Sequence, residues 1–230
     1  FYSPSGAFAL NRFWLAFGTG ERANLLRKGN ATVTTENNRF YVVKDLDPLD
    51  RRETLIPTLT EADLVDRTNS ATCPNLASVS GYFFRVDDDE KFVTDTEIFS
   101  YWVIASSFTP GESPNACTAG GTAHLYIFKL FCGQGFFFDS STHSPGADDL
   151  PGGGPGGSGG LDDPSLPDYG DPASRRIQLD TGMPTDPRIS VSPDGTRVIV
   201  TQQEGEIENL EGPLGTGSAP GQVYWREIVQ

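Results

Sequence analysis

The sequence predicts an all-β fold, and three observations carry that expectation. Short segments rich in Phe, Tyr and Val recur about every ten residues, the rhythm of strands joined by tight turns. The 26 Gly and 17 Pro are spread along most of the 230 residues, where they break helices and mark turns. A single Met beside them argues against a helical bundle, while 37% apolar and 11% aromatic residues suffice for a sizeable core. A sandwich, a barrel or propeller blades all suit this pattern.

The first strand is expected at residues 12–17 (RFWLAF), stopped by Gly18-Thr19-Gly20, and the second at 39–44 (RFYVVK). Residues 59–65 (LTEADLV) have helical spacing sufficient for one short helix or turn. Strands follow at 81–86, 92–99, 101–108 and 123–131. After an interruption the pattern resumes at 176–179, 188–191, 197–202, 206–210 and 222–228. Ser192-Pro193-Asp194-Gly195 reads as a hairpin turn, because Pro suits the second turn position and Asp-Gly tolerates positive φ. In the last segment, Trp225 would enter a core and Arg226-Glu227 would lie at an edge, closing the sheet.

The interruption contains PGGGPGGSGG (151–160), flanked by Asp148, Asp149, Asp162 and Asp163, with Asp168 and Asp171 beyond. A stretch without apolar side chains cannot offset the entropy of ordering itself. Residues 140–174 are therefore expected to be a flexible, acidic, Gly-rich insertion between two strands of one sheet.

A formal net charge of −14 repels phosphate backbones and anionic lipid, so nucleic acid is excluded as a partner class. The longest apolar runs are strand-sized and far short of a membrane span. The chain starts at Phe1 without Met or a signal peptide, and is read as a mature or proteolysed fragment whose export signal lies upstream. Cys73, Cys117 and Cys132 lack metal-like spacing; one disulfide plus one thiol is the simplest count, which favours an oxidising compartment.

Several motifs invite a chemical reading. Gly18-Thr19-Gly20-Glu21-Arg22-Ala23 matches GxGxxA after a strand, with Asp45 ending the next. A dinucleotide site also needs a crossover helix, and the polar, β-branched residues 27–38 make a poor one. The GxSxG at Gly156-Gly157-Ser158-Gly159-Gly160 lies in low-complexity Gly rather than at a rigid strand-to-helix elbow. His124 in a strand and His143 in a loop have no evident acid–base partner, and no catalytic residue is assigned. Asp87, Asp88, Asp89, Asp162 and Asp163 are the candidate Ca²⁺ ligands, since clustered carboxylates satisfy that hard ion. None follows the spaced D-x-[DN]-x-[DN]-G loop, and such acid runs commonly form solvated faces.

Three blocks in order resemble the PilY family of type IV pilus proteins. RFWLAFGTGER with NNRFYVVKD (12–22 and 37–45) is similar to the family blade in which a GTG-type turn precedes a "fYaikD" strand. KFVTDTEIFSYWVIASSFTPGESPNACTAGGTAHLYIF (91–128) resembles its succession of a "v.sDPvv" strand, a "vyftTF.P" strand, a Cys-containing loop and a "GGt..LYalD" strand. LDTGMPTDPRISVSPDGTRVIVTQQEGEIENL and the later VYWREI (179–210 and 223–228) resemble the closing segment with its "sWREl" end.

The resemblance implies a partial, modified β-propeller of short antiparallel four-stranded blades spanning residues 1–230, its remaining blades supplied by upstream residues or an associated chain. It implies a non-enzymatic role in type IV pilus assembly, tip adhesion and twitching motility, at the periplasm, outer surface, pilus tip or fimbrium. Minor pilins, the tip complex, the rest of the same protein and a host or abiotic surface are the implied partners. Several family members bind Ca²⁺ through a spaced acidic loop N-terminal to these blocks, so that loop is expected outside the chain. On the blade topology, Cys73 and Cys132 fall at one end of the strands and Cys117 at the other, giving Cys73–Cys132; a single meander would instead permit Cys73–Cys117. Two rival classes are a secreted propeller enzyme, quinoprotein-like or nucleotide-dependent, and a structural subunit of an extracellular filament.

Overall fold

A computed structural model of the chain describes residues 3–21, 38–45, 58–73, 79–111, 120–138, 167–168, 170–192, 195–201 and 207–212. It is all-β: thirteen described strands in three open sheets, with two 3-10 turns at Glu61–Asp63 and Pro172–Arg175. The GTG turn's Arg22 and Ala23, Cys117, His143, Ser158, the Asp148, Asp149, Asp162 and Asp163 flanks, Pro193-Asp194 and the 222–228 segment lie outside the described residues.

The first sheet has the order β1 (Ser5–Ala9), β2 (Arg12–Gly18), β3 (Arg39–Asp45), β5 (Gly81–Arg85), β4 (Val65–Asp66). All pairs are antiparallel except β4 with β5. β1 has no counterpart among the expected strands. Its hairpin turns on Leu10 and Asn11, both at positive φ (51° and 57°), and Leu at such a position departs from the Asn-Gly signature of two-residue turns.

The second sheet runs β10 (Arg176–Thr181), β9 (Gly121–Lys129), β8 (Trp102–Pro110), and β8 then pairs with both β6 (Lys91–Phe92) and β7 (Glu97–Phe99). The single strand expected at 92–99 is thus two. Thr94 interrupts it: its hydroxyl accepts from Ser106 N–H (3.0 Å) and donates to Ser106 C=O (3.2 Å), doing with a side chain what the backbone ladder would do. The third sheet is β11 (Arg188–Ser192), β12 (Gly195–Thr201), β13 (Ile207–Gly212), with Ser192 opposite Gly195 across the expected hairpin. The first and second sheets have five described strands rather than the expected four, because β4 adds a parallel edge and β6 and β7 share one side of β8.

Burial explains the order of the sheets. β8 is buried along seven successive residues, 102–108, so it is covered on both faces. Val103 and Ala105 join one core cluster with Trp14, Phe40, Tyr82 and Phe84 of the first sheet. Trp102, Ile104 and Phe108 join another with Phe136, Phe137, Leu179, Val198 and Val200. The second sheet is therefore the middle layer. Phe40 organises the first cluster, edge-on to Phe92 (4.9 Å) and Phe128 (5.1 Å) and stacked on Phe84 (5.7 Å); such pairs contribute about 0.5–1.5 kcal/mol each beyond area burial.

The interruption's end is packed rather than free. Gly170 C=O accepts from Ala71 N–H (2.9 Å), Asp171 caps the Pro172–Arg175 turn, and Ser174 and Arg175 are buried. β9 and β10 on either side belong to one sheet.

Gly18 and Gly20 have a packing role. A Cβ on Gly18 would sit 2.3 Å from Phe92 Cγ, and one on Gly20 would sit 2.4 Å from the Phe92 carbonyl oxygen. Phe92 N–H donates to Thr19 C=O (3.1 Å), so the glycines admit the neighbouring sheet's backbone. β2 passes to an antiparallel β3, which is not the parallel arrangement a dinucleotide crossover needs. Gly20→Ala should destabilise the fold by about 1–3 kcal/mol, read as a lower urea midpoint with unchanged slope. Of the two cysteine pairings left open, the structure contains Cys73–Cys132, closing a loop with a sequence separation of 59. Replacing both by Ser should cost about 2–4 kcal/mol, and the native bridge should appear as one linked peptide in mapping without reduction.

Candidate functional site

The polar residues of the two-sided middle sheet gather at one place. Alternation along β9 puts His124 and Tyr126 on the face toward the first sheet. Across the ladder, Ser107 stands opposite His124 and Arg176 opposite Tyr126, so all four share that face. The turn after β5, closed by Glu90 N–H donating to Asp87 C=O (3.2 Å), drops Glu90 among them.

Glu90 is fully buried, and its carboxylate is satisfied on both oxygens. Oε1 accepts from the Ser107 hydroxyl (2.5 Å) and the Tyr126 hydroxyl (2.8 Å). Oε2 accepts from Arg176 (2.7 Å) and Asp87 N–H (3.3 Å). Its backbone carbonyl accepts from Asn38 Nδ2 (2.8 Å) on the first sheet's side. His124 Nδ1 lies 3.5 Å from Oε1, within ion-pair reach when the ring is protonated, but is not hydrogen-bonded. Burial pushes the Glu90 carboxyl upward, yet His124, Ser107 and Arg176 together outweigh it and hold the acid below its ordinary range. Burial and the adjacent carboxylate push the Tyr126 hydroxyl up. Arg176 loses some charge stability to burial, but Tyr126, Glu90 and Asp87 more than restore it.

Two members of this cluster, Tyr126 and Arg176, line a groove of about 630 Å³ together with Phe84, Thr68, Asn69, Arg85, Asp87 and Asp88. Arg175 closes its other side. The Arg175 guanidinium lies 4.7 Å from the Phe84 ring, and its Nε donates to Gly133 C=O (2.6 Å) while its NH2 donates to Ser70 C=O. Those two carbonyls belong to the loops that the Cys73–Cys132 bridge joins. Burial pulls the Arg175 pKa down to about 10. Arg85 pairs with Asp66 at 3.2 Å on the rim.

The acid run thus divides. Asp87 is largely exposed and pairs with Arg176 at 2.5 Å; Asp88 lines the groove; Asp89 holds the turn at φ 63°; Glu90 faces inward. No three His, Cys, Asp or Glu among the described residues approach as metal ligands would. Asp162 and Asp163 lie outside the described residues. The expectation that His124 has no acidic partner is corrected by Glu90, 34 residues earlier in sequence. A readable signal existed: Ser107, His124 and Tyr126 interrupt apolar strands at positions that alternation stacks on one face. Glu90 gave none, since it ends a run that looks solvated.

The described chain is an all-β protein of three stacked open sheets with a polar, arginine-rimmed groove between the first and second. Among solved structures, it is similar to the crystal structure of the Pseudomonas aeruginosa PilY1 C-terminal domain: TM-score 0.54 at 14% identity, over 92% of this chain and 45% of that one. The likeness concerns the fold, and the chain spans less than half of that structure's length. Neither the family models nor the curated proteins compared with the sequence include a match.

Glu90→Gln should cost about 1.5–3 kcal/mol at neutral pH, because the buried site loses its charge-assisted bonds to Ser107, Tyr126 and Arg176 while Arg176 keeps Asp87 as its partner. The folded Glu90 carboxyl sits below its unfolded value, so its contribution is full above the ordinary Glu range near about 4.3 and is lost as pH falls through the folded value. Urea titrations from neutral pH to pH 3 should therefore show a shallower acid loss in the Gln variant. An identical acid slope in both proteins would assign the titration to another group.

Proposed function

We propose that the chain is part of a modified β-propeller that serves type IV pilus assembly and tip-associated adhesion, acting through binding rather than catalysis. The observation that carries the reading is that the sequence blocks and the folded chain point to the same family. Three ordered sequence blocks resemble the PilY family, and the folded chain resembles the PilY1 C-terminal domain over nearly its whole length. The sheets favour it: each begins with a short strand, and β1 of the first lies against β7 of the second, as the inner strands of neighbouring blades would. A disulfide suits the periplasm or outer surface, where this role is exerted.

Minor pilins, the tip complex, the rest of the same protein, or a host or abiotic surface are the partners this role entails. Calcium, where it acts, would use a family loop outside these residues. The rival nucleotide-dependent enzyme loses its main support, since Gly18 and Gly20 are occupied with Phe92.

Sheared pilus fractions from the producing cells should contain the protein, and deleting its gene should reduce surface piliation and twitching. Normal piliation in the deletion strain, with the protein absent from the pilus fraction, would overturn the proposal. Thermal-shift titrations with NAD, FAD and pyrroloquinoline quinone should leave the melting temperature unchanged; a saturable rise with any of them would favour the enzyme.

A further inference from the structure

A short strand near the start of each sheet follows a similar lead-in. β1, β7 and β11 begin at Ser5, Glu97 and Arg188, two residues after Ser3, Asp95 and Asp186 respectively. Residues 94–98 read TDTEI and residues 185–189 read TDPRI. The residue after the acid, or its Ser3 equivalent, is Pro4, Thr96 or Pro187, and the third residue after Asp95 and Asp186 is an isoleucine packed toward the preceding sheet.

The equivalence is also spatial. Asp95 Oδ1 accepts the backbone N–H of Ser3 at 3.2 Å, and Asp186 Oδ1 accepts the backbone N–H of Asp95 at 3.0 Å. Each carboxylate therefore reaches back to the amide of the same repeat position one sheet earlier, 92 and 91 residues away. An ionised acceptor makes such a bond roughly twice as strong as a neutral one, and the direction is always from later sheet to earlier.

We propose that this series is an inter-sheet clasp and that its open end, the amide of Asp186, is an interaction surface for a further antiparallel sheet. That partner presents a carboxylate from the residue two before its first strand. Among the described residues the Asp186 N–H has no acceptor. Beside it, Arg188 is exposed on the face of β11 turned away from the second core cluster, and it too has no partner among them. An amide and a guanidinium on one edge of an otherwise acidic chain select an acidic partner. The inference rests on the sheet arrangement and not on the pilus role, so either can fail alone.

Amide hydrogen exchange, followed residue by residue on the intact protein isolated from its cells, tests both parts. In Asp186→Ala the Asp95 amide should exchange about tenfold faster or more, while β8 and β9 amides change less. In Asp186→Asn, which keeps an acceptor oxygen, most of the Asp95 protection should remain. An unchanged Asp95 amide in the Ala variant, or equal loss in both variants, would overturn the clasp. In the unmodified protein the Asp186 amide should be protected to within about tenfold of Asp95; exchange at the rate of an unstructured amide would overturn the open end as a docking surface.

Discussion

Two-sided burial of the β8–β9 pair is the constraint on which the rest of the molecule depends. A strand covered on both faces cannot alternate apolar with polar residues, and WVIASSF and AHLYIF accordingly carry apolar groups on both sides for most of their length. The first sheet and β12, the central described strand of the third, can each bury an aromatic or branched face only because this middle layer offers two. The polar side chains the pair does carry then face a dry environment, where an unpaired group costs about 1–3 kcal/mol. Ser107, His124 and Tyr126 lie near the middle of the β8–β9 ladder, and Glu90 reaches them from the turn after β5.

The fold was legible in the sequence wherever its physics is local. Strands β2, β3, β5, β8 and β9 follow from aromatic, β-branched runs bounded by Gly or turn residues. What escaped was set by partners distant in sequence. β1 depends on a turn that puts Leu10 at positive φ, a conformation that no propensity favours and that the paired strand β2 imposes. The 92–99 run has strand composition throughout, yet Thr94 bonds Ser106 with its hydroxyl and Asp95 is drawn to two other sheets. The Gly18-Thr19-Gly20 turn is the converse case: a local pattern suggested phosphate, but the space those glycines leave is filled by Phe92 of the adjoining sheet.

The candidate site was less legible than the fold, for a related reason. Asp87, Asp88, Asp89 and Glu90 are consecutive carboxylates, and composition treats them alike. A single turn separates them into a rim acid paired with Arg176, a groove-lining acid, a residue holding positive φ and a buried centre. The buried member is distinguished by what surrounds it, and those groups come from residues 38, 107, 126 and 176.

Why a charged centre is retained there follows from the energetics of buried ions. Removing Glu90 from water costs several kcal/mol, and its pairing with Arg176 and two hydroxyls does little better than offset that loss; a well-packed apolar replacement of the whole cluster could match it. What an apolar replacement would lack is direction. Apolar faces slide over one another at small cost, whereas a carboxylate with Ser107 and Tyr126 on one oxygen and Arg176 on the other accepts one register of β8, β9 and β10. Its carbonyl bond to Asn38 adds the first sheet to the same alignment. The groove above is rimmed by the residues so aligned, including Arg176 and Asp87. Its shape therefore depends on the buried network beneath it as much as on the side chains that line it.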